Sequence, residues 1–159
     1  MSERKAEIRK FVAEKHAESW AVLSRLGAGV WGQRVYSEEG SNWTVRDLLA
    51  HLADAEAGQL AQIRRLLAGQ QTLPADFDLD RWNRSVVAKR ADRTPADHLA
   101  AIQSSYEQGL ALLDEIAEAN LDRVGRHARG DDISIERFFR RMAAHRAMHA
   151  EQVQRALVR

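Results

Sequence analysis

The chain has 159 residues and is 45% hydrophobic, which is enough for one sizeable core and predicts a single domain over residues 1–159. Its 24 Lys and Arg stand against 23 Asp and Glu for a net charge of +1, so there is no broad field to attract phosphate backbones or anionic lipid. No nucleic-acid or membrane partner is expected, and the absence of cysteine excludes disulfides, thiolate ligands and a cysteine nucleophile while fitting a reducing cytoplasm.

The amino-terminal MSERKAEIRK is charged and opens an amphipathic helix, not an apolar signal segment, and no apolar run approaches the length of a membrane span. A cytoplasmic protein is expected. Apolar residues at helical spacing, Ile8, Phe11, Val12, Trp20, Val22, Leu23 and Leu26, predict a first helix over about 3–27, ending at the Gly27/Gly29 pair. A polar patch from Lys15 to Ser19 interrupts its stripe, and His16 and Ser19 could face a site.

GVWGQRVYSEEGSNW reads as a loop. Thr44 with Asp47 three residues on then signals a helix over about 44–68, its stripe carried by Val45, Leu48, Leu49, Leu52, Ala55, Ile63, Leu66 and Leu67, with Gly69 as its C-terminal cap. Residues 70–93 form a long connection in which DLDRWNRSVVAKR predicts a short helix from Asp78 or Leu79 to about Lys89. Thr94-Pro95-Ala96-Asp97 starts a third long helix that runs to about Ala119, DRVGRHARGDD reads as a charged loop, and Ser134 caps a fourth helix to about Leu157. His98 and His127, in a first turn and in that loop, are expected to be exposed, whereas Trp20, Trp43 and Tyr106 read as core aromatics. Four amphipathic helices with a long crossover between the second and third predict an all-α four-helix bundle.

The last helix carries the chemistry. Its seam reads Ile135, Phe138, Met142, His145, His149, Gln152 and Ala156, at alternating steps of three and four. Two buried imidazoles without partners would cost roughly 1–3 kcal/mol each, so these positions call for hydrogen bonds, water or a metal. The i, i+4 spacing places both rings on one side of the helix, and His51, bordering the second helix's stripe beside Leu48 and Leu52, fits as a third ligand. Three imidazoles would leave room for water or substrate on the ion, as catalytic sites do. Spacing alone equally admits interior histidines bonded to carboxylates or backbone. No Glu stands three residues before any histidine, and His145-Arg146-Ala147-Met148-His149 has arginine where HExxH proteases carry their base, so neither a ferritin-like di-iron site nor that protease site is present. Asp54, Glu56 and Glu151 could orient the imidazoles, or could simply be solvated.

Three segments, SNWTVRDLLAHLADAE, FDLDRWNRSVVAKR and MAAHRAMHAEQVQRAL, resemble in order and separation the DinB-like (DNA-damage-inducible) four-helix bundles, which include thiol-dependent S-transferases and mycothiol-dependent maleylpyruvate isomerases. The resemblance implies up-down-down-up topology, a metal on His51, His145 and His149, and frequently a homodimer; as a divalent ion on imidazole ligands, Zn, Ni or Fe would each suit. It also matches Trp82 and Asn83 to a recurrent Trp-Asn pair that could line the pocket mouth, although Trp82 could equally pack the crossover onto the bundle. The function expected is a metal-dependent transferase or hydrolase, with a low-molecular-weight thiol or water as nucleophile and a small molecule as substrate. The alternative is a non-catalytic, metal-stabilised stress-response binding or scaffold protein.

Overall fold

Each helix begins at a side chain that satisfies one of its orphan backbone donors. In the computed structural model, which describes residues 1–40 and 42–158, Ser2 accepts from the Lys5 N–H at the start of α1 (Glu3–Leu23). Thr44 and Asp47 form a capping box that opens α2 (Val45–Leu67), and Thr94 and Asp97 form another at α4 (Pro95–Glu115). Asp78 caps the crossover helix α3 (Leu79–Lys89), and Ser134 caps α5 (Ile135–Leu157). Gly69, with φ of 72°, takes the left-handed position just past α2. Ser41, within the predicted first loop, lies outside the described residues, as does Arg159.

Two helix ends differ from the sequence expectation. α1 stops at Leu23, four residues early, because Arg25 and Leu26 N–H groups bond three residues back and tighten the chain before Gly27. α4 stops at Glu115, where Ile116 turns extended and the buried Lys5 ammonium donates to the Asp114 and Ile116 carbonyls at 2.8 and 2.9 Å. A cation on these orphan carbonyls also suits the negative end of the helix dipole. The charged loop that follows contains a 3₁₀ turn, Glu118–Asp122, and an antiparallel hairpin, β1 (Val124–Arg126) with β2 (Asp132–Ser134), in register Gly125↔Ile133. Three-residue strands rich in charge carry too little alternation to read from sequence.

Side-chain bonds fix the helix directions. Arg4 meets Glu136 at 2.8 Å, so α1 and α5 start together, and Lys5 on the last carbonyls of α4 makes α1 antiparallel to α4. Arg46 donates to the Ala91 and Arg93 carbonyls, placing the start of α2 beside the start of α4, while Gln33 accepts from the Val45 N–H at the start of α2 and donates to the Ala156 carbonyl at the end of α5. The bundle of α1, α2, α4 and α5 is therefore up-down-down-up, with α3 in the crossover between its parallel helices α2 and α4.

Two apolar clusters fill the bundle. One gathers Ile8, Ile63, Leu113, Ile135, Phe138 and Phe139, and the other gathers Leu23, Leu48, Leu52, Ile102, Ala150 and Val153. Each fully buried large side chain contributes roughly 1.5–3 kcal/mol. Between the clusters lies a polar waist, where every helix of the bundle contributes buried polar residues: His16 and Ser19, Glu56 and Gln59, Ser105, then Arg146 and His149. No described helix is long and apolar enough to cross a membrane.

Candidate metal centre

The waist opens on one side into a cluster built from two helices and a loop. His51 comes from the second turn of α2, His145 and His149 from one face of α5, and Glu39 from the connection between α1 and α2. That connection is a closed arm: Val35 N–H bonds the Trp43 carbonyl and Val45 N–H the Gln33 carbonyl, each at 2.9 Å. At its tip the Trp43 ring occupies the space a Cβ on Gly40 would need, within 2.0 Å, so only glycine fits beside Glu39. The same ring lies 4.7 Å from the His51 ring and closes that side of the cluster.

The three Nε2 atoms converge. His145 Nε2 is 3.3 Å from His51 Nε2 and 3.0 Å from His149 Nε2, and Glu39 Oε2 is 2.9, 2.9 and 2.7 Å from His51, His145 and His149. All four ligand atoms lie within 4.8 Å of one another, so the group could hold a metal ion. Ligands about 2.0–2.1 Å from a tetrahedral ion stand roughly 3.3 Å apart, close to the separations found here. His149 Nδ1 faces Gln152 Oε1 at 2.7 Å, which calls for a proton on Nδ1 and turns the Nε2 lone pair inward. Bare lone pairs on Nε2 and on a carboxylate 2.7 Å away repel unless a cation, a proton or a metal ion, lies between them. Burial lowers the His145 pKa to about 4 even against the Glu39 hydrogen bond. Burial alone would raise the Glu39 carboxyl, but the bonds from His145, His149 and His51 hold it far below the carboxylate range.

Glu39, His51 and His145 of the cluster form one wall of a cavity of about 330 Å³. Ala57, Gly58 and Ala61 of α2 face it from one side, Phe77, Leu79 and Trp82 from the crossover, and His127, Arg129 and Arg141 from the hairpin tip and α5. His127 Nδ1 accepts from the Arg129 N–H at 3.2 Å and from Arg141 at 3.1 Å, so its proton sits on Nε2, facing Gln59 Oε1 at 3.3 Å. Burial and the neighbouring Arg141 lower its pKa to about 4. Arg141 is held by both oxygens of Asp131, and Arg129 donates to Glu39 Oε1 at 3.0 Å.

Residue by residue, the structure brings His51, His145 and His149 together, and puts Trp82 and Asn83 on the cavity wall. The three carboxylates that could orient the imidazoles or be solvated bond to other partners. Asp54 accepts from Trp82 Nε1 and Arg90, both at 2.9 Å, and so ties α3 to α2. Glu56 is wholly buried and takes both of its bonds from Arg146, at 2.5 and 2.7 Å, while Glu151 pairs with Arg155 on the exposed face of α5. Orientation of His149 falls to Gln152 instead.

Other histidines also sit differently from expectation. His16 points into the waist, stacks on Tyr106 at 3.6 Å and accepts from Arg146, and Ser19 bonds the Lys15 and His16 carbonyls, so neither reaches the cluster. His98 and His127 are buried, not exposed, because the first turn of α4 and the hairpin tip fold inward against the bundle. Trp43 is core, as expected, whereas Trp20 and Tyr106 are half-buried and pack against it. Glu39 and Arg129 escaped the sequence reading because they lie in irregular segments where no periodicity assigns a face.

A family model described as the DinB superfamily matches residues 12–153. No curated protein sequence matches the chain. Among solved structures, the fold is similar to YfiT from Bacillus subtilis, described as a probable metal-dependent hydrolase with an unusual four-helix bundle topology; the TM-score is 0.76 at 20% identity, covering 98% of this chain and 87% of that one. It is also similar to a mycothiol-dependent maleylpyruvate isomerase (TM-score 0.76, 15% identity, 96% of this chain, 63% of that one). A third is the colibactin self-resistance protein ClbS, solved in complex with double-stranded DNA (TM-score 0.73, 16% identity, 96% and 92%). At these identities the likeness is one of fold.

Proposed function

The chain belongs to the DinB superfamily, and from that premise we propose that it is a metal-dependent enzyme in which His51, His145 and His149 hold a divalent ion for thiol transfer or hydrolysis. The observation that carries this reading is the convergence of three Nε2 atoms, from two helices, beside a cavity large enough for a small substrate that His51 and His145 line. A divalent ion there would act as a Lewis acid, favouring the conjugate base of a thiol or of water near neutral pH.

The chain's own residues supply the rest. α2 and α5 fix the rings, Gln152 selects the His149 tautomer, and the Trp43 ring shields His51. Phe77, Leu79 and Trp82 give the cavity an apolar wall on one side. With no cysteine in the chain, a thiol nucleophile would come from a cosubstrate. YfiT, described as a probable metal-dependent hydrolase, and the mycothiol-dependent isomerase support the two variants by fold. Zinc, nickel and iron all suit imidazole ligands.

A second reading is favoured by one observation: Glu39 would complete a four-ligand set, and closed sets are the mark of structural sites. In that case the ion stabilises a non-catalytic bundle. Metal analysis of protein made without a histidine tag, beside the His145→Ala/His149→Ala double variant, tests the site itself, and equal metal content in both would sink it. A screen of small thiols against electrophiles then separates the readings: metal-dependent conjugation or hydrolysis supports the enzyme, and stability loss on chelation without turnover supports the scaffold.

A further inference from the structure

The Glu39 carboxylate is gripped at both ends. Its Oε2 sits among the three imidazole Nε2 atoms at 2.7–2.9 Å, and its Oε1 accepts from Arg129 at 3.0 Å, with Glu39, His51, His145 and Arg129 on the cavity wall and His149 buried behind them. We propose that this is a carboxylate-binding seat, shared by the three-histidine centre and Arg129, in which Glu39 is an internal stand-in that an incoming carboxylate ligand displaces. The inference rests on the metal reading above and adds to it a ligand class and a gate.

Three features carry it. The imidazoles stand on helices, whereas Glu39 stands on the irregular arm between α1 and α2, whose backbone is bonded at its base through Val35 and Val45 and at its tip through Gly40 and Trp43, so the carboxylate can leave by rotation of its own side chain with the arm in place. Of the three arginines lining the cavity, Arg129 is the one already set on the Glu39 carboxylate, with its side chain 49% exposed, whereas Arg141 is clamped by both oxygens of Asp131 and Arg65 donates to the Gln71 carbonyl. A carboxylate bridging a cation and a guanidinium makes charge-assisted bonds on both oxygens, and exchange of one carboxylate for another leaves the buried charge unchanged. The seat opens toward Leu73, Phe77, Leu79 and Trp82, which suits a ligand with an apolar body behind its carboxylate.

The test uses the full chain loaded with cobalt(II), whose visible absorption bands report ligand changes, and benzoate as the probe, with benzamide as its uncharged control. Parent, Glu39→Ala, Glu39→Gln and Glu39→Ala/Arg129→Gln proteins are titrated, with thermal melts to show that each is folded. The expected result is that both Glu39 variants shift the cobalt bands before any probe is added. Benzoate then binds Glu39→Ala about tenfold more tightly than parent, as removal of an internal competitor predicts. Adding Arg129→Gln abolishes most of that gain, and benzamide leaves the bands unchanged. Unchanged bands and unchanged benzoate affinity in folded Glu39 variants would overturn the inference while leaving the metal site standing, as would benzamide matching benzoate. Failure of cobalt to bind the parent would overturn both.

Discussion

Gln152 shows what one residue contributes to the candidate centre. Sequence periodicity put it on the same seam as His145 and His149 without giving it a role, and the structure shows its amide oxygen 2.7 Å from His149 Nδ1. A partner of this kind fixes both the tautomer and the ring plane, and its loss typically costs about 10–100-fold in metal affinity. Gln152→Leu is therefore expected to weaken zinc binding by that factor in chelator competition, with the melting temperature of metal-free protein little changed because the side chain is only half-buried. Unchanged affinity would remove Gln152 from the centre. The same scale explains the uneven legibility of the site. The ligand histidines show in the sequence because helical spacing gives each a face, whereas Glu39 and Arg129 owe their positions to a closed arm and a hairpin tip, which no periodicity encodes.

At the scale of elements, α5 is buried over a wider arc than a simple seam, because it packs against both α1 and α2. Its buried set, which includes Phe139, Ala143, Arg146, Ala150 and Val153, is turned away from the line read through His145 and Gln152. That rotation leaves His145 at the cavity edge and drives Arg146 into the waist, where it is 1% exposed and bonds both oxygens of Glu56 on α2. Removing one partner of such a pair strands the other charge and typically costs about 3–5 kcal/mol, whereas apolar residues of similar volume at both positions are often neutral or better. Arg146→Met alone should lose roughly that much stability in urea unfolding of metal-free protein, and Arg146→Met/Glu56→Leu should recover most of it. A double variant as unstable as the single one would show that the pair is held by more than charge compensation, for example by the His16 contact.

For the molecule as a whole, the all-α class and the helix order were legible because four amphipathic segments without enough apolar surface to stand alone have few ways to pack, and because the 70–93 connection is too long for a tight hairpin. The polar waist was not legible, since it assembles His16, Glu56, Ser105 and Arg146 from helices far apart in sequence. It gives the bundle a pH dependence. Burial, and then the charge of Arg146 from α5, lower the His16 pKa from 6.5 to about 4, while Gln103 and Glu107 on α4 pull weakly the other way and the Tyr106 ring stacks on it. The folded chain therefore refuses a proton that the unfolded chain accepts. Above pH 6.5 neither state is protonated at this ring and its contribution is complete; as pH falls from 6.5 toward 4 the unfolded state gains protons and stability declines. Solvent reaching the edge of the ring reduces the effect to about 1 kcal/mol between pH 7 and pH 5. Urea unfolding of chelator-treated protein across that range should show this decline, and His16→Gln should flatten it by the same amount relative to the parent. Parallel profiles for the two proteins would show that His16 titrates in the folded bundle as it does in water.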